Sequence, residues 1–187
     1  MANFNPYVDI IDVSFWRELC TREGTLRRYR KGEMFLHAGE VPKFFGFIES
    51  GYFIYSVIDT DGAEHVTGFA LRGNLAGDFY SSVHAVPALN NLKATANSSV
   101  WVISLLTVQK VFGRYPDMRL IMAEELFRTA HQRYVDHYRH SPKERYIEVL
   151  NRCPDLLQHI TLKELASYLQ ITPTHLSRIR KEILSGT

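Results

Sequence analysis

Residues 161–181 read TLKELASYLQITPTHLSRIRK, and the reading of the whole chain turns on them. Thr161-Leu162-Lys163-Glu164 is a capping box, in which the threonine hydroxyl accepts from the third helical N–H while Glu164 reaches back. Leu165, Ala166 and Leu169 predict a buried stripe, Ala166 being small enough for a crossing helix to approach. Ile171-Thr172 makes a short turn. Thr172-Pro173 opens a second helix, with threonine as N-cap and proline at the first position. Leu176, Ile179 and Ile183 form its inner face, and Thr174, His175, Ser177, Arg178, Arg180 and Lys181 lie outward or at the edges. Two short helices joined by a tight turn, the second carrying exposed Thr, Ser and Arg, are the pattern of a helix-turn-helix. A helical hairpin with a solvated face explains the apolar positions equally well. It explains less well why the outer face has three bases and one acid, Glu182.

Upstream, Ser141-Pro142 breaks one helical pattern and begins another through Leu150, which makes it the best domain boundary. Before it, an amphipathic segment runs from Asp117 to about His140. Leu120, Phe127 and Tyr134 recur every seven residues, with Met122, Ala123 and Ala130 between them. That spacing suits a helix packed along a partner helix, and equally a helix lying on its own domain. A short helix over Thr107 to Arg114 ends at Tyr115-Pro116. From Thr25 to about Leu106 the texture is that of strands: Phe44 to Ile48, Tyr52 to Ile58 and Val100 to Ser104 are short and rich in β-branched and aromatic residues. Lys31-Gly32, Ala38-Gly39, Ser50-Gly51, Asp61-Gly62 and Arg72-Gly73-Asn74 punctuate them, Asp61-Gly62 as a hairpin turn. Such spacing predicts a sandwich or small closed barrel. A short helix over Val13 to Arg22 precedes it, with Phe15, Trp16 and Leu19 on one side.

The chain has 187 residues and a formal net charge of +2, which excludes a strongly polybasic protein but not a local basic surface. The surplus sits in one place: residues 161–187 hold four bases against two acids, while residues 1–116, 117–140 and 141–160 each hold as many bases as acids. Hydrophobic residues at 45% and charged ones at 22% exclude disorder as the default. Cys20 and Cys153 are too few for a disulfide framework or a four-thiolate cluster. No apolar run suits a membrane span, and the start lacks a charged signal region, so the expectation is a soluble cytoplasmic protein without a membrane partner.

The stretch from Thr161 to Lys181 resembles the DNA-binding segment of Crp/Fnr transcription regulators. Tyr29-Arg30-Lys31-Gly32-Glu33, His37-Ala38-Gly39-Glu40 and Phe47-Ile48-Glu49-Ser50-Gly51-Tyr52 are similar to that family's cyclic-nucleotide-binding β-roll. The resemblance covers nearly the whole chain in the right order. It implies an α+β fold: a jelly-roll effector domain over residues 1–115, a dimerisation helix over 116–140 bearing Leu120, Ala123, Phe127, Ala130 and Tyr134, and a helix-turn-helix domain over 141–187. The implied partners are double-stranded DNA, a second copy of the chain and RNA polymerase.

Carried over by position, Arg178 matches the family's base-reading arginine, and an arginine fork on guanine is the commonest specific contact. Pro173 and Thr174 stand where the family often has Arg and Glu. Thr172, Thr174, His175 and Ser177 are therefore candidate contacts, with Arg180 and Lys181 facing phosphate. Gln170 stands where many such motifs have a turn glycine, and positive φ there would be strained. The family's β-hairpin wing has no counterpart in the sequence, which is expected to weaken DNA affinity. In the effector domain Gly77-Asp78 matches the ribose-holding Gly-Glu with a shorter acid, but Ala88-Leu89-Asn90-Asn91 contains no match for the phosphate-holding Arg-Ser pair. Lys93 is the only nearby cation, so the expectation is no cyclic AMP binding. Gly77, Asp78, Tyr80, Ser81 and Lys93 then line a pocket for an unidentified small-molecule effector, or Phe79 and Tyr80 fill it. The resemblance also excludes the iron–sulfur branch, since Cys20 stands alone and reads as a packed hydrophobe.

No metal site is read from the sequence: His131, His137 and His140 face imperfectly beside Arg133 and Arg139, and His65 with Glu64 is too little. No Ser-His-Asp order, phosphate loop or paired-cysteine site marks an enzyme. The expected activity is that of a homodimeric transcription regulator. Its rival is a ligand-sensing or protein-interaction module whose helical tail does not bind DNA.

Overall fold

The aromatic and β-branched runs between glycine turns fold as strands β1 (Thr25–Tyr29), β2 (Met34–Leu36), β3 (Phe44–Ser50), β4 (Phe53–Ile58), β5 (Glu64–Ala70), β6 (Leu75–Ala76), β7 (Asn91–Ala94) and β8 (Ser98–Ser104). The computed structural model describes residues 4–185. The strands form two four-stranded antiparallel sheets, ordered β1-β8-β3-β6 and β2-β7-β4-β5. Leu36, Ile48, Phe53, Leu92, Ala94, Val100 and Val102 fill the space between them.

Alternation along the central strands explains the second core. On β3 and β8, Ile48, Val100 and Val102 point between the sheets, while Phe45, Phe47, Trp101 and Ile103 point to the outside of the first sheet. That outer face is covered by Trp16, Leu19 and Cys20 of α1 (Val13–Glu23) and by Val108, Val111 and Phe112 of α3 (Leu105–Arg114). Trp16 is completely buried, its ring 5.1 Å from that of Phe45 and 5.6 Å from that of Phe112.

Asp61-Gly62 does turn a hairpin between β4 and β5, but only Gly62 takes positive φ, at +81°. The loop is closed by Asp59, whose amide donates to the Ala63 carbonyl at 3.0 Å. One element departs from the strand texture: α2 (Phe79–His84) follows β6, with the Asp78 carboxylate accepting from the Ser81 N–H as N-cap. Six residues are too few for helical periodicity to show among strands.

Beyond the roll, α4 (Pro116–Arg139) is 24 residues long, about 36 Å at 1.5 Å per residue. Met122, Thr129 and Asp136 form its buried edge. α5 (Pro142–Arg152) begins with a second capping box, Ser141 with Glu144. α6 (Leu162–Tyr168) and α7 (Pro173–Leu184) complete the chain. These three helices do not stand apart from the roll. Tyr146, Val149, Leu156, Leu165, Ala166, Leu169, Leu176 and Ile179 share one apolar cluster with Phe4 and with Ile54, Val66 and Phe69 of the second sheet. The Val66 N–H, on edge strand β5, donates to Ser167 Oγ at 2.9 Å, so α6 covers an edge that would otherwise offer unpaired backbone. Nearby, the Tyr52 ring stacks on His159 with centroids 4.0 Å apart and planes 15° apart.

Candidate nucleic-acid interface and effector cavity

Local chemistry builds the helix-turn-helix. Thr161 Oγ1 accepts from Glu164 N at 3.2 Å, and Glu164 Oε2 accepts from Thr161 N at 2.6 Å. At the other end of α6, Gln170 N donates to Ser167 O and Ile171 N to Ala166 O, each at 3.0 Å. That pair of bonds is a Schellman motif, and it places Gln170 in the left-handed region with φ +57°. The strained glutamine foreseen at this position is therefore present. Thr172 then caps α7, its Oγ1 accepting from His175 N at 3.1 Å.

Leu176 and Ile179 are buried under α7, and Ile183 is half-buried. Thr174, His175, Ser177, Arg178 and Lys181 are exposed, and Arg180 is half-buried. Thr174, Arg178 and Lys181 follow at i, i+4 and i+7, so they share one face. Among the described residues no ion pair engages Arg178 or Lys181. Two candidates are already committed inside the helix: the Thr172 hydroxyl to capping, and the Ser177 hydroxyl to donation to Pro173 O at 3.0 Å.

On α4, Leu120, Phe127 and Tyr134 are 57%, 71% and 64% exposed in the single chain. Ala130 is exposed and Ala123 half-buried. The seven-residue repeat thus lies on the side of α4 away from Met122 and Thr129, which pack toward the roll.

Between α4, the second sheet and the N-terminal segment lies a cavity of about 460 Å³. Of the five effector-pocket residues expected from sequence, Gly77 and Asp78 line it. Tyr80, Ser81 and Lys93 are not brought there. Tyr80 is 66% exposed, Ser81 Oγ donates to Pro87 O, and Lys93 Nζ lies 2.6 Å from both oxygens of Glu64. Nor do Phe79 and Tyr80 together fill it: Phe79 contributes to the wall and packs on Phe112, while Tyr80 lies against His84. Gly77 has φ +151°, and a Cβ there would meet the Phe45 ring at 2.7 Å, so glycine is needed for this approach. The Tyr55 hydroxyl donates to Gly77 O at 2.8 Å.

The cavity's cation comes from a different element. Arg133 of α4 lines it, with Nη2 donating to Asn5 Oδ1 at 3.1 Å and the guanidinium 5.5 Å from the Phe4 ring and 5.8 Å from the Tyr168 ring. Asn5 in turn donates to Phe69 O and Asn74 Oδ1. Burial pushes the Tyr7 hydroxyl up to about 12, against the opposing pull of Arg133. Thr129 Oγ1 is buried at the cavity wall with no hydrogen-bond partner. Met122, Leu126, Thr129 and Arg133 form a stripe at i, i+4, i+7 and i+11, a helical signal present in the sequence beside the heptad of larger residues.

Residues 26–115 match the cyclic nucleotide-binding domain family. Over the longer chain the fold is that of several solved structures. FixK2 from Bradyrhizobium japonicum is 19% identical, with a TM-score of 0.77 over 87% of this chain and 85% of that one. The c-di-GMP responsive global regulator CLP of Xanthomonas campestris is 14% identical, with a TM-score of 0.68 over 92% of each chain. The catabolite activator protein of Thermus thermophilus is 17% identical, with a TM-score of 0.56 over 90% of this chain and 82% of that one. No curated protein matches the chain by sequence. The chain thus shares with these structures the fold of a cyclic-nucleotide-binding-type β-roll followed by a long helix and two short helices joined by a tight turn. Among the described residues no helix is long and apolar enough to cross a membrane.

Proposed function

We propose that this chain is a non-enzymatic, homodimeric DNA-binding transcription regulator acting in the cytoplasm on a pseudo-palindromic site. The observation that carries the reading is the outer face of α7. Thr174, Arg178 and Lys181 stand in line, and among the described residues no acid pairs with either base. Arg178 reads a base edge; Lys181 and Arg180 contact phosphate; Thr174 and His175 tune base preference. The exposed Leu120, Phe127 and Tyr134 pack against the same residues of a second copy. Residues 1–115, 116–140 and 141–187 then serve as effector domain, dimer helix and DNA-binding domain.

The effector is a small molecule other than cyclic AMP. Among the described residues the cavity offers one cation, the Arg133 guanidinium already shared with Asn5, and no second charged donor of the kind a buried phosphodiester requires. Selection of bound duplexes from random DNA tests the reading. It should return an inverted repeat with half-site centres about one helical turn, roughly 34 Å, apart. Recovery of no enriched sequence at low salt would favour a sensing module without DNA binding. Calorimetric titration giving a micromolar or tighter cyclic AMP constant would overturn the effector assignment.

A further inference from the structure

α4 and α5 meet at the bend His140-Ser141-Pro142, and three metal-ligating side chains converge beside it. Asp136 lies in the last turn of α4, His140 is the residue that caps its C-terminus, and Glu148 comes from α5. One ligand atom from each lies within 4.8 Å of the other two. Asp136 is only 8% exposed, and its Oδ1 accepts from the neutral Gln132 amide at 2.8 Å. Among the described residues no Lys or Arg nitrogen comes within 4.0 Å of its carboxylate; the nearest basic atom is His140 Nδ1 at 3.9 Å, beyond hydrogen-bond length. A buried carboxylate with so little compensation favours a cation at its side. The histidines of α4 suggest no metal by their own spacing, because the third ligand comes from the next helix.

We propose that Asp136, His140 and Glu148 bind a divalent first-row transition ion that staples the long helix to the DNA-binding segment. One imidazole and two carboxylates suit zinc and its neighbours, whereas magnesium and calcium prefer all-oxygen sets. Three protein ligands leave the remaining coordination to water. Three atoms no more than 4.8 Å apart surround a point about 2.8 Å from each, so shifts of about 0.7 Å per ligand reach bonding distance. Arg152 is the competitor. Its Nη2 lies 3.6 Å from Glu148 Oε1, and its side chain, 37% exposed, can swing into water when an ion arrives.

The full chain, stripped with a chelator and desalted, is titrated with zinc by calorimetry and with cobalt by visible absorption. One tight site per chain is expected, unaffected by excess magnesium. Asp136→Asn, His140→Ala and Glu148→Gln each weaken it by about 100-fold or more and abolish the cobalt bands. Arg152→Ala removes the competing charge and tightens zinc binding, a gain that misfolding cannot imitate. His65→Ala and His131→Ala leave the site unchanged. Zinc binding that is absent, or that ignores the three ligand substitutions, overturns the proposal, as does an Arg152→Ala chain that binds zinc no more tightly. None of these readouts involves DNA, so the regulator reading stands or falls separately.

Discussion

Ser167→Ala tests whether the helix-turn-helix segment is anchored to the roll by a backbone hydrogen bond. Ser167 Oγ accepts from the Val66 N–H at 2.9 Å, and Val66 is 7% exposed on the edge strand of the second sheet. Removing the hydroxyl leaves that N–H facing a methyl group. A buried donor without a partner costs about 1–3 kcal/mol, and the half-buried position of Ser167 admits some water, which favours the lower end. Alanine returns a few tenths of a kcal/mol through its better helix propensity. The net loss is about 1 kcal/mol, which for a chain of this length lowers Tm by about 2–4 °C. Local opening makes the sharper readout: the same loss speeds exchange of the Val66 amide by about fivefold. Hydrogen exchange followed at that amide is the assay. Ser177→Ala is the control, because that hydroxyl bonds Pro173 O within its own helix and should leave Val66 protected. Unchanged Val66 exchange in Ser167→Ala would show that the Ser167 hydroxyl does not hold that amide. So would equal acceleration in the control.

Gln170→Gly relieves the left-handed backbone at the turn before α7. Removing a penalty of about 1–2 kcal/mol while adding about 0.5–1 kcal/mol of chain entropy gives a small net stabilisation, seen as a Tm higher by about 2 °C. A lower Tm would contradict the turn geometry. In the β4–β5 hairpin, His65 Nε2 at 2.6 Å and then the Ala63 and Asp61 N–H groups hold the Asp59 carboxyl below the usual aspartate range. Its support of the loop is therefore complete above the ordinary aspartate value and lost as pH falls through the lowered one. NMR titration should place Asp59 below its ordinary value, and His65→Ala should move it back up; an ordinary value in the parent chain would refute the contact. Burial pushes the Cys20 thiol up to about 12, against a backbone hydrogen bond at Phe47, so iodoacetamide at mildly alkaline pH should modify it only after unfolding. Rapid alkylation of Cys20 in the native protein would contradict its placement in the Trp16 core.

The parts of this molecule that were legible in its sequence are those whose signals are local. The capping box at Thr161, the Thr172-Pro173 start and the apolar stripe from Leu165 to Ile179 each act within a few residues, and the helices follow them. Gln170 was legible for the same reason, since a helix end demands one residue in a particular backbone region. The cavity was not. Lys93 stands a few residues from the expected pocket but is claimed by Glu64 across the sheet, 29 residues away. Asp78 reads as a ligand by position, yet its carboxylate is the N-cap of a helix too short to announce itself. Arg133 belongs to the cavity through α4, whose strongest repeat, Leu120, Phe127 and Tyr134, runs along a different side. Convergence of side chains from distant elements leaves no periodic trace. Hence fold order was readable, while the lining of the cavity required the tertiary arrangement.

Whether α7 reads DNA through its exposed face is tested most directly by affinity for a selected duplex as a function of salt. Log affinity should fall linearly with log salt, Arg178→Ala should lose about 1–3 kcal/mol with relaxed sequence preference, and Lys181→Ala should show a shallower salt slope. Binding that is indifferent to salt, or an Arg178→Ala chain that binds the selected duplex as tightly and as selectively as the parent, would contradict it.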